Sequence, residues 1–139
     1  MKVSAARELL APVEDVWSFV SEPYHLPDWW PGISGLRPDR RGFAEGARWT
    51  VVGENQPTLF RRPNMTGALI VLAIEPLRRF AFHLTGERID AELTLERRGP
   101  NRTLASLTVD GFALIGLRRA FPRRALDRLY DLCQTAAES

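Results

Sequence analysis

The spacing of apolar residues divides the chain into an opening strand, a short helical region, a long run of strands and a closing helix. Val3–Leu10 alternates weakly between polar and apolar residues, which predicts a strand. After Pro12 the apolar residues recur at the i, i+3, i+4, i+7 spacing of a helix with one buried face, at Val13, Val16, Trp17 and Val20. Pro12 suits the first position of such a helix, so we expect the helix to begin there.

The segment LPDWWPG, Leu26–Gly32, follows this helix and carries two of the four tryptophans. Pro27 and Pro31 restrict it to one or two helical turns. Adjacent side chains cannot point the same way along a regular helix or strand. We therefore predict that at least one of Trp29 and Trp30 does something other than fill the core, and that the segment forms part of the wall or lid of an apolar cavity.

From Ser34 to Phe112 the period changes to two, and turn residues occur at regular intervals. In RRFAFHL, for example, Phe80, Phe82 and Leu84 share one face of the predicted strand. One apolar and one solvated face are typical of an antiparallel sheet that is covered on one side. This region therefore predicts about six antiparallel strands in addition to the opening one.

The period returns to 3.6 between Gly116 and Ala137, which predicts the longest helix. Its apolar stripe consists of Leu117, Phe121, Ala125, Leu129 and Cys133, with Leu126 and Tyr130 beside it. Pro122 predicts either a kink or a separate first turn, in which case Pro122 opens the main helix.

These elements predict an α+β fold. A long amphipathic helix that follows a one-faced sheet folds across the apolar face, since both apolar surfaces must leave water. We expect a curved antiparallel sheet of about six to seven strands wrapped on the C-terminal helix, with two short helices after the first strand. A curved sheet does not fill all the space beneath it, so the gap between sheet and helix is the candidate cavity.

Composition narrows the class of protein without indicating an activity. The 139 residues are 45% hydrophobic and 26% charged, and we expect one globular domain over residues 1–139. The formal net charge is only +2, so we expect no nucleic-acid partner. Cys133 is the single cysteine, which excludes an intrachain disulfide, and we expect neither a metal site nor a cofactor.

The N-terminal residues MKVSAARELLAP lack the apolar stretch of a signal peptide. The longest aliphatic run, ALIVLAI at Ala68–Ile74, is far shorter than the ~20 residues that cross a bilayer. We therefore expect a cytoplasmic protein without a transmembrane segment. ALIVLAI is apolar on both alternating faces, so a homodimer contact is one hypothesis for its outer face, and shielding by long neighbouring side chains is the alternative.

Several segments resemble the polyketide cyclase and START-like superfamily, also called SRPBCC, which has a helix-grip fold. ELLAPVEDVWSFVSEPYHLPDWWPGI resembles its opening strand, its helix start and its LP.W.PG segment. IEPLRRFAFHL and LTLERRGPNRTLASLTV resemble the start of a central strand and the hairpin before the last strand. The resemblance covers nearly the whole chain but implies the scaffold only, because members include lipid carriers, aromatic cyclases, quinone-binding proteins and chaperone cofactors.

The resemblance implies a pocket between the concave face of the sheet, the final helix and the two short helices. Trp29 and Trp30 would stand near its mouth, where members commonly have one aromatic residue. The residues that we expect to contact a ligand are Trp29, Trp30, Trp49, Phe82, Leu93, Leu107, Val109, Phe121, Leu126 and Tyr130. Core packing is the alternative role for Trp49 and the role that we expect for Trp17.

Catalytic chemistry has little support in the sequence, which contains no nucleophile, phosphate-loop or metalloprotease motif. A cyclisation needs only a shaped pocket and one or two polar groups, so an enzyme is not excluded. The candidates for such a group are Tyr130, on the inward flank of the last helix, and His25, beside the tryptophan segment. The alternatives are a tyrosine bonded within the protein and a solvated histidine. We expect Asp28 to cap the short helix and His83 to lie on the solvated face.

We interpret the chain as a carrier or sensor that binds one small hydrophobic or aromatic molecule, such as a lipid or a polyketide-like metabolite. An aromatase- or cyclase-type enzyme, acting on a polyketide-like substrate in the same cavity, is the alternative. The third hypothesis is a protein-interaction module with a filled pocket. Its basic surface would be the arginine-rich segment LRRAFPRR around Phe121.

Overall fold

The structure, a computed structural model, describes residues 2–53, 66–86, 88–111 and 120–138. Within these residues a curved antiparallel sheet comprises seven strands: β1 (Lys2–Leu9), β2 (Ile33–Arg37), β3 (Arg48–Gly53), β4 (Thr66–Glu75), β5 (Arg79–Leu84), β6 (Ile89–Gly99) and β7 (Arg102–Gly111). The helical elements are α1 (Val13–Val20), a 3₁₀ turn (Pro23–His25), α2 (Leu26–Trp29) and α3 (Phe121–Glu138).

The strand order in the sheet is β1-β7-β6-β5-β4-β3-β2, and every neighbouring pair is antiparallel. Strands β2 to β7 form a meander, and β1 lies alongside β7. The sheet edges are therefore β1 and β2, and α1, the 3₁₀ turn and α2 connect them. Helix α3 packs against β1, β7 and α2. This arrangement confirms the predicted α+β architecture of a sheet wrapped on the C-terminal helix.

Alternate positions of the central strands carry the core. The register places Phe82, Ala91 and Val109 in one row across β5, β6 and β7, and Phe80, Leu93 and Leu107 in the next row. All six side chains are buried. Burial of each large apolar side chain contributes about 1.5–3 kcal/mol to stability. These rows form the concave face of the sheet, toward which the helices pack.

The backbone at the end of α2 explains how two adjacent tryptophans are both buried. Trp29 is the last residue of α2, and Trp30, its C-cap, has extended dihedral angles (φ −95°, ψ 111°). Adjacent side chains point in different directions only while they belong to the same regular helix or strand. Here Trp29 is helical and Trp30 is extended, so both side chains can face the interior. Trp29 is 0% and Trp30 is 1% exposed. Both indoles are therefore buried and not exposed at an open mouth, and a role beyond core filling for at least one of them stays a prediction.

Two predicted helix positions are wrong. Pro12 is the N-cap of α1 and not its first residue, since its ψ of 148° is extended. Asp28 does not cap α2, because it is the third residue of that helix and a capping side chain must precede the first turn. His25 occupies the N-cap position, and its Nδ1 atom lies 3.2 Å from the Asp28 carboxylate.

Helix α3 begins at Phe121, so Pro122 occupies its first turn and opens the main helix, as one of the two predictions for this residue states. A proline is tolerated there because the backbone N–H groups of the first turn have no partner within the helix. The predicted helical residues 116–119 lie outside the described residues. None of the helices that the structure describes is long and apolar enough to cross a membrane.

The aliphatic run on β4 keeps part of its outer face uncovered. A bulge interrupts the pairing of β4 with β5 between Val71 and Ala73. Leu72, at the bulge, is 50% exposed, whereas Leu69 and Val71 are buried. A homodimer contact over this strand stays a prediction.

Candidate functional site

Six aromatic side chains lie together where the concave face of the sheet meets α2 and α3. We call them the aromatic cluster: Trp29, Trp30, Trp49, Phe80, Phe82 and Phe121. All six are buried, with exposed fractions of at most 8%. Their ring contacts form a connected series from α2 across β5 to β3, with a branch to α3.

Trp30 joins the helices to the sheet within this cluster. Its ring centroid lies 5.2 Å from that of Phe82 on β5 and 5.0 Å from that of Phe121 on α3. The Trp29 ring lies 5.9 Å away on its own segment. All three contacts are edge-to-face, an arrangement that adds about 0.5–1.5 kcal/mol per pair beyond the burial of area. Trp30 therefore makes the closest described aromatic link between sheet and C-terminal helix.

The indole of Trp49 is held by a loop that is itself fixed by a carboxylate. Trp49 Nε1 donates a hydrogen bond to the Gly42 carbonyl oxygen at 2.7 Å. The Asp39 carboxylate accepts hydrogen bonds from the backbone N–H groups of Arg48 and Arg41, both at 2.9 Å, and of Gly42 at 3.2 Å. These donors, that of Arg48 above all, lower the pKa of Asp39. The polar atom of Trp49 is thus paired within the protein.

The indole N–H of Trp29 has no such partner. Trp29 is 0% exposed, and its Nε1 atom is the one buried side-chain nitrogen or oxygen without a hydrogen-bond partner in the part of the chain that the structure describes. An unpaired buried donor costs about 1–3 kcal/mol, and buried tryptophan N–H groups are usually paired. The interior thus contains a donor that the described protein atoms leave unused.

The remaining described interior is apolar and uncharged. Thr103 is the only buried polar or charged residue among the described residues, and its hydroxyl donates to the Ala11 carbonyl oxygen at 2.8 Å. Cys133 on α3 is also buried, and burial, with a smaller contribution from the charge of Asp15, raises the pKa of its thiol to about 11. The thiol is therefore protonated near neutral pH and unsuited to act as a nucleophile.

Nine of the ten predicted ligand-contacting residues belong to one buried hydrophobic core: Trp29, Trp30, Trp49, Phe82, Leu93, Leu107, Val109, Phe121 and Leu126. The tenth, Tyr130, is half-buried at the edge of this core. The structure therefore brings the predicted set together, and contact of these residues with a ligand stays a prediction.

The two candidate catalytic residues make no described ring contact with the aromatic cluster. The Tyr130 ring is covered by the Arg7 guanidinium, whose carbon lies 3.9 Å from the ring centroid, and Arg7 also pairs with Asp127. His25 is half-buried, lies beside Asp28 and contacts the Phe19 ring edge-on at 5.3 Å. Both side chains thus have partners within the protein.

The outer face of the sheet carries the other histidine. His83 Nδ1 lies 2.8 Å from the Asp90 carboxylate on the neighbouring strand. Its position on the solvated face is the predicted one. Within the described residues no group of three or more histidine, cysteine or acidic side chains is arranged to hold a metal ion.

Sequence reasoning missed two aromatic residues. Phe80 has the same alternation as Phe82, and that signal would have been sufficient to add it to the predicted set. Phe43 lies in the loop between β2 and β3, where no period indicates its direction, yet its ring contacts Phe80 at 4.9 Å and Trp17 at 5.7 Å. Trp17 is half-buried and packs against the hydrophobic core, and its one described ring contact is with Phe43, which agrees with its expected packing role.

A family model described as polyketide cyclase/dehydrase and lipid transport matches residues 1–134. No curated protein shows significant similarity to the chain. The sequence match therefore rests on the pattern of the family and not on one closely related protein.

Solved structures with the same fold cover almost the whole chain at low sequence identity. A START superfamily protein from Mycobacterium smegmatis has a TM-score of 0.73 and 15% identity, over 97% of this chain and 98% of its own. A protein from Nitrosomonas europaea has a TM-score of 0.73 and 16% identity, over 100% and 97%. Norcoclaurine synthase from Thalictrum flavum, solved as a point mutant with a transition-state analogue, has a TM-score of 0.69 and 14% identity, over 99% and 96%. At these identities the likeness establishes the fold alone.

Proposed function

Because the chain belongs to the polyketide cyclase/dehydrase and lipid transport family, we propose that it binds one small hydrophobic or aromatic molecule between the sheet and α3, as a carrier or sensor. The activities in the family description share a need for an apolar site that shelters a small molecule from water. Ligand sites of this kind are lined mainly by apolar and aromatic side chains with few polar groups. The described interior has this composition.

The observation that carries the proposal is the unpaired indole N–H of Trp29. A core that serves packing alone gains nothing from a buried donor without an acceptor, and Phe or Leu at this position would avoid the cost. Trp49, in the same aromatic cluster, has its donor paired within the chain. A bound molecule that offers an acceptor to Trp29 would pair the one buried side-chain donor that lacks a partner among the described residues.

A carrier or sensor is favoured over a cyclase by the positions of the polar side chains. Arg7 covers the face of the Tyr130 ring, Asp28 lies beside His25, and neither Tyr130 nor His25 belongs to the aromatic cluster. The buried thiol of Cys133 is held in its protonated form. The aromatic cluster itself contains no side chain that could act as an acid or base, and this composition supports a carrier or sensor.

Two measurements test the proposal. Native mass spectrometry of gently purified protein is expected to show a co-purifying small molecule. The neutral fluorescent probe N-phenyl-1-naphthylamine is expected to bind with a stoichiometry of one per chain. The matched control is Leu72→Gln on the outer face, which removes the half-exposed leucine of β4 and should leave probe binding unchanged.

Absence of a bound mass, together with absence of saturable probe binding, would contradict the proposal and would favour the interaction-module hypothesis. Probe binding that disappears in Leu72→Gln would assign the signal to the outer surface, and this outcome would also count against an interior site.

A further inference from the structure

We infer that the ligand of the proposed site is a neutral aromatic molecule held through a carbonyl-type oxygen that accepts a hydrogen bond from Trp29 Nε1. This inference rests on the proposed function and names the chemical class that the site selects. It predicts that carboxylates and cations of the same shape are rejected.

The donor comes from the geometry of α2. Trp29 ends that helix with its indole fully buried, and its N–H finds no acceptor among residues 2–53, 66–86, 88–111 and 120–138. An indole N–H can donate and cannot accept, so the partner that Trp29 lacks among the described residues is an acceptor atom, which a bound molecule can supply. A pure hydrocarbon guest would leave the donor unsatisfied in a water-poor environment, where the penalty is greatest.

The charge balance of the interior limits this acceptor to a neutral group. No charged side chain is buried in the part of the chain that the structure describes, and its one buried polar residue, Thr103, is already bonded to Ala11. Arg7 and Asp127, on β1 and α3, are both partly exposed and pair with each other. A carboxylate drawn inside would lose its hydration without gaining a counter-ion from the buried side chains that the structure describes.

The aromatic character follows from the rings around the donor. Trp30 presents its ring beside Trp29 and meets Phe82 and Phe121 edge-on. A planar aromatic ring of a bound molecule can pack edge-to-face against these rings without needing any further hydrogen bond. A flat aromatic ketone therefore matches both the donor and its surroundings.

Three near-isosteric naphthalenes separate these features. 2-Acetylnaphthalene carries a neutral acceptor, 2-ethylnaphthalene carries none, and 2-naphthoate carries a charged one. Their dissociation constants are measured at pH 7 by calorimetry in the wild-type chain, in Trp29→Phe and in Trp17→Phe. Trp17 is the matched control, because it is a half-buried tryptophan outside the aromatic cluster.

The informative quantity for each protein is the dissociation constant of 2-ethylnaphthalene divided by that of 2-acetylnaphthalene. Differences in water solubility cancel when this quotient is compared between proteins. We expect the quotient to be about tenfold larger in the wild type and in Trp17→Phe than in Trp29→Phe, the effect of one buried hydrogen bond. We expect 2-naphthoate to bind the wild type at least about tenfold more weakly than 2-acetylnaphthalene.

A second readout does not depend on the folding of a variant. In wild-type protein labelled with ¹⁵N at the tryptophan indoles, the Trp29 indole proton should move downfield when 2-acetylnaphthalene binds and not when 2-ethylnaphthalene binds. The Trp49 indole proton, already bonded to Gly42, should move little with either compound.

Equal ratios in the wild type and Trp29→Phe, or an unmoved Trp29 proton in the acetyl complex, would overturn the inference while leaving the proposed function intact. Tight binding of 2-naphthoate would overturn the claim that the acceptor is neutral. Failure of all three naphthalenes and of N-phenyl-1-naphthylamine to bind would overturn the proposed function and the inference with it.

Discussion

Removal of the Trp30 ring provides the most direct test of the described packing between sheet and C-terminal helix. Trp30 is 1% exposed and contacts three other rings with centroid separations of 5.0–5.9 Å. Trp30→Ala should lower the free energy of unfolding by about 3–5 kcal/mol, the usual cost of deleting a buried large aromatic side chain. For 139 residues the unfolding entropy is about 0.3 kcal/mol per kelvin, so Tm should fall by about 10–17 °C.

The matched control is Trp17→Ala, which makes the same substitution at a half-buried residue with one described ring contact, to Phe43 at 5.7 Å. We expect it to cost about 1–2 kcal/mol. Urea unfolding followed by far-UV circular dichroism gives both values, and an unchanged slope with urea would show that the folded state stays compact.

Indole added to Trp30→Ala should restore part of the loss by occupying the space of the missing ring, by about 1.4 kcal/mol at ten times its dissociation constant. The wild type should gain less, because its own ring fills that space. A loss below about 1.5 kcal/mol in Trp30→Ala, or equal losses in the two variants, would refute the described packing of Trp30.

Three further predictions concern other parts of the fold. Thr103→Val should lower the free energy of unfolding by about 1–3 kcal/mol in urea titrations, since it leaves the buried Ala11 carbonyl without its donor, whereas Thr103→Ser should cost less. The pKa of Asp39 is lowered in the fold, so its charge stabilises the protein above the ordinary carboxyl pKa and stops doing so as pH falls through the lowered value. The difference in Tm between the wild type and Asp39→Asn should thus be constant at neutral pH and vanish in acid, and a difference that grew in acid would contradict this assignment. Leu77 has a φ of 66° in the turn between β4 and β5, so Leu77→Gly should unfold at a urea concentration equal to or above that of the wild type, while Leu77→Val should lose more than about 1 kcal/mol.

The sequence by itself determined the fold class, the order of the elements and most of the core. A change from a period of 3.6 to a period of 2 and back reports which side of its own element each side chain faces. That information was sufficient to place Phe82, Leu93, Leu107 and Val109 on one face of the sheet. It was also sufficient to place Phe121 and Leu126 on the buried face of α3.

Contacts between elements were decided only by the tertiary structure. Trp30 meets Phe82 and Phe121, residues far along the chain, because the backbone turns from helical to extended at the end of α2. The loop residue Phe43 contacts Phe80 of the aromatic cluster, although no period in the sequence indicates the direction of its side chain.

The same limit applies to hydrogen bonding. Trp49 and Trp29 are the same residue type in similarly apolar surroundings, yet the Trp49 N–H finds the Gly42 carbonyl and the Trp29 N–H finds no acceptor in the described part of the chain. A periodic pattern records the direction of a side chain relative to its own backbone. Whether an acceptor lies within hydrogen-bond distance of the side chain depends on how separate elements pack, and their packing is settled only when the whole chain has folded.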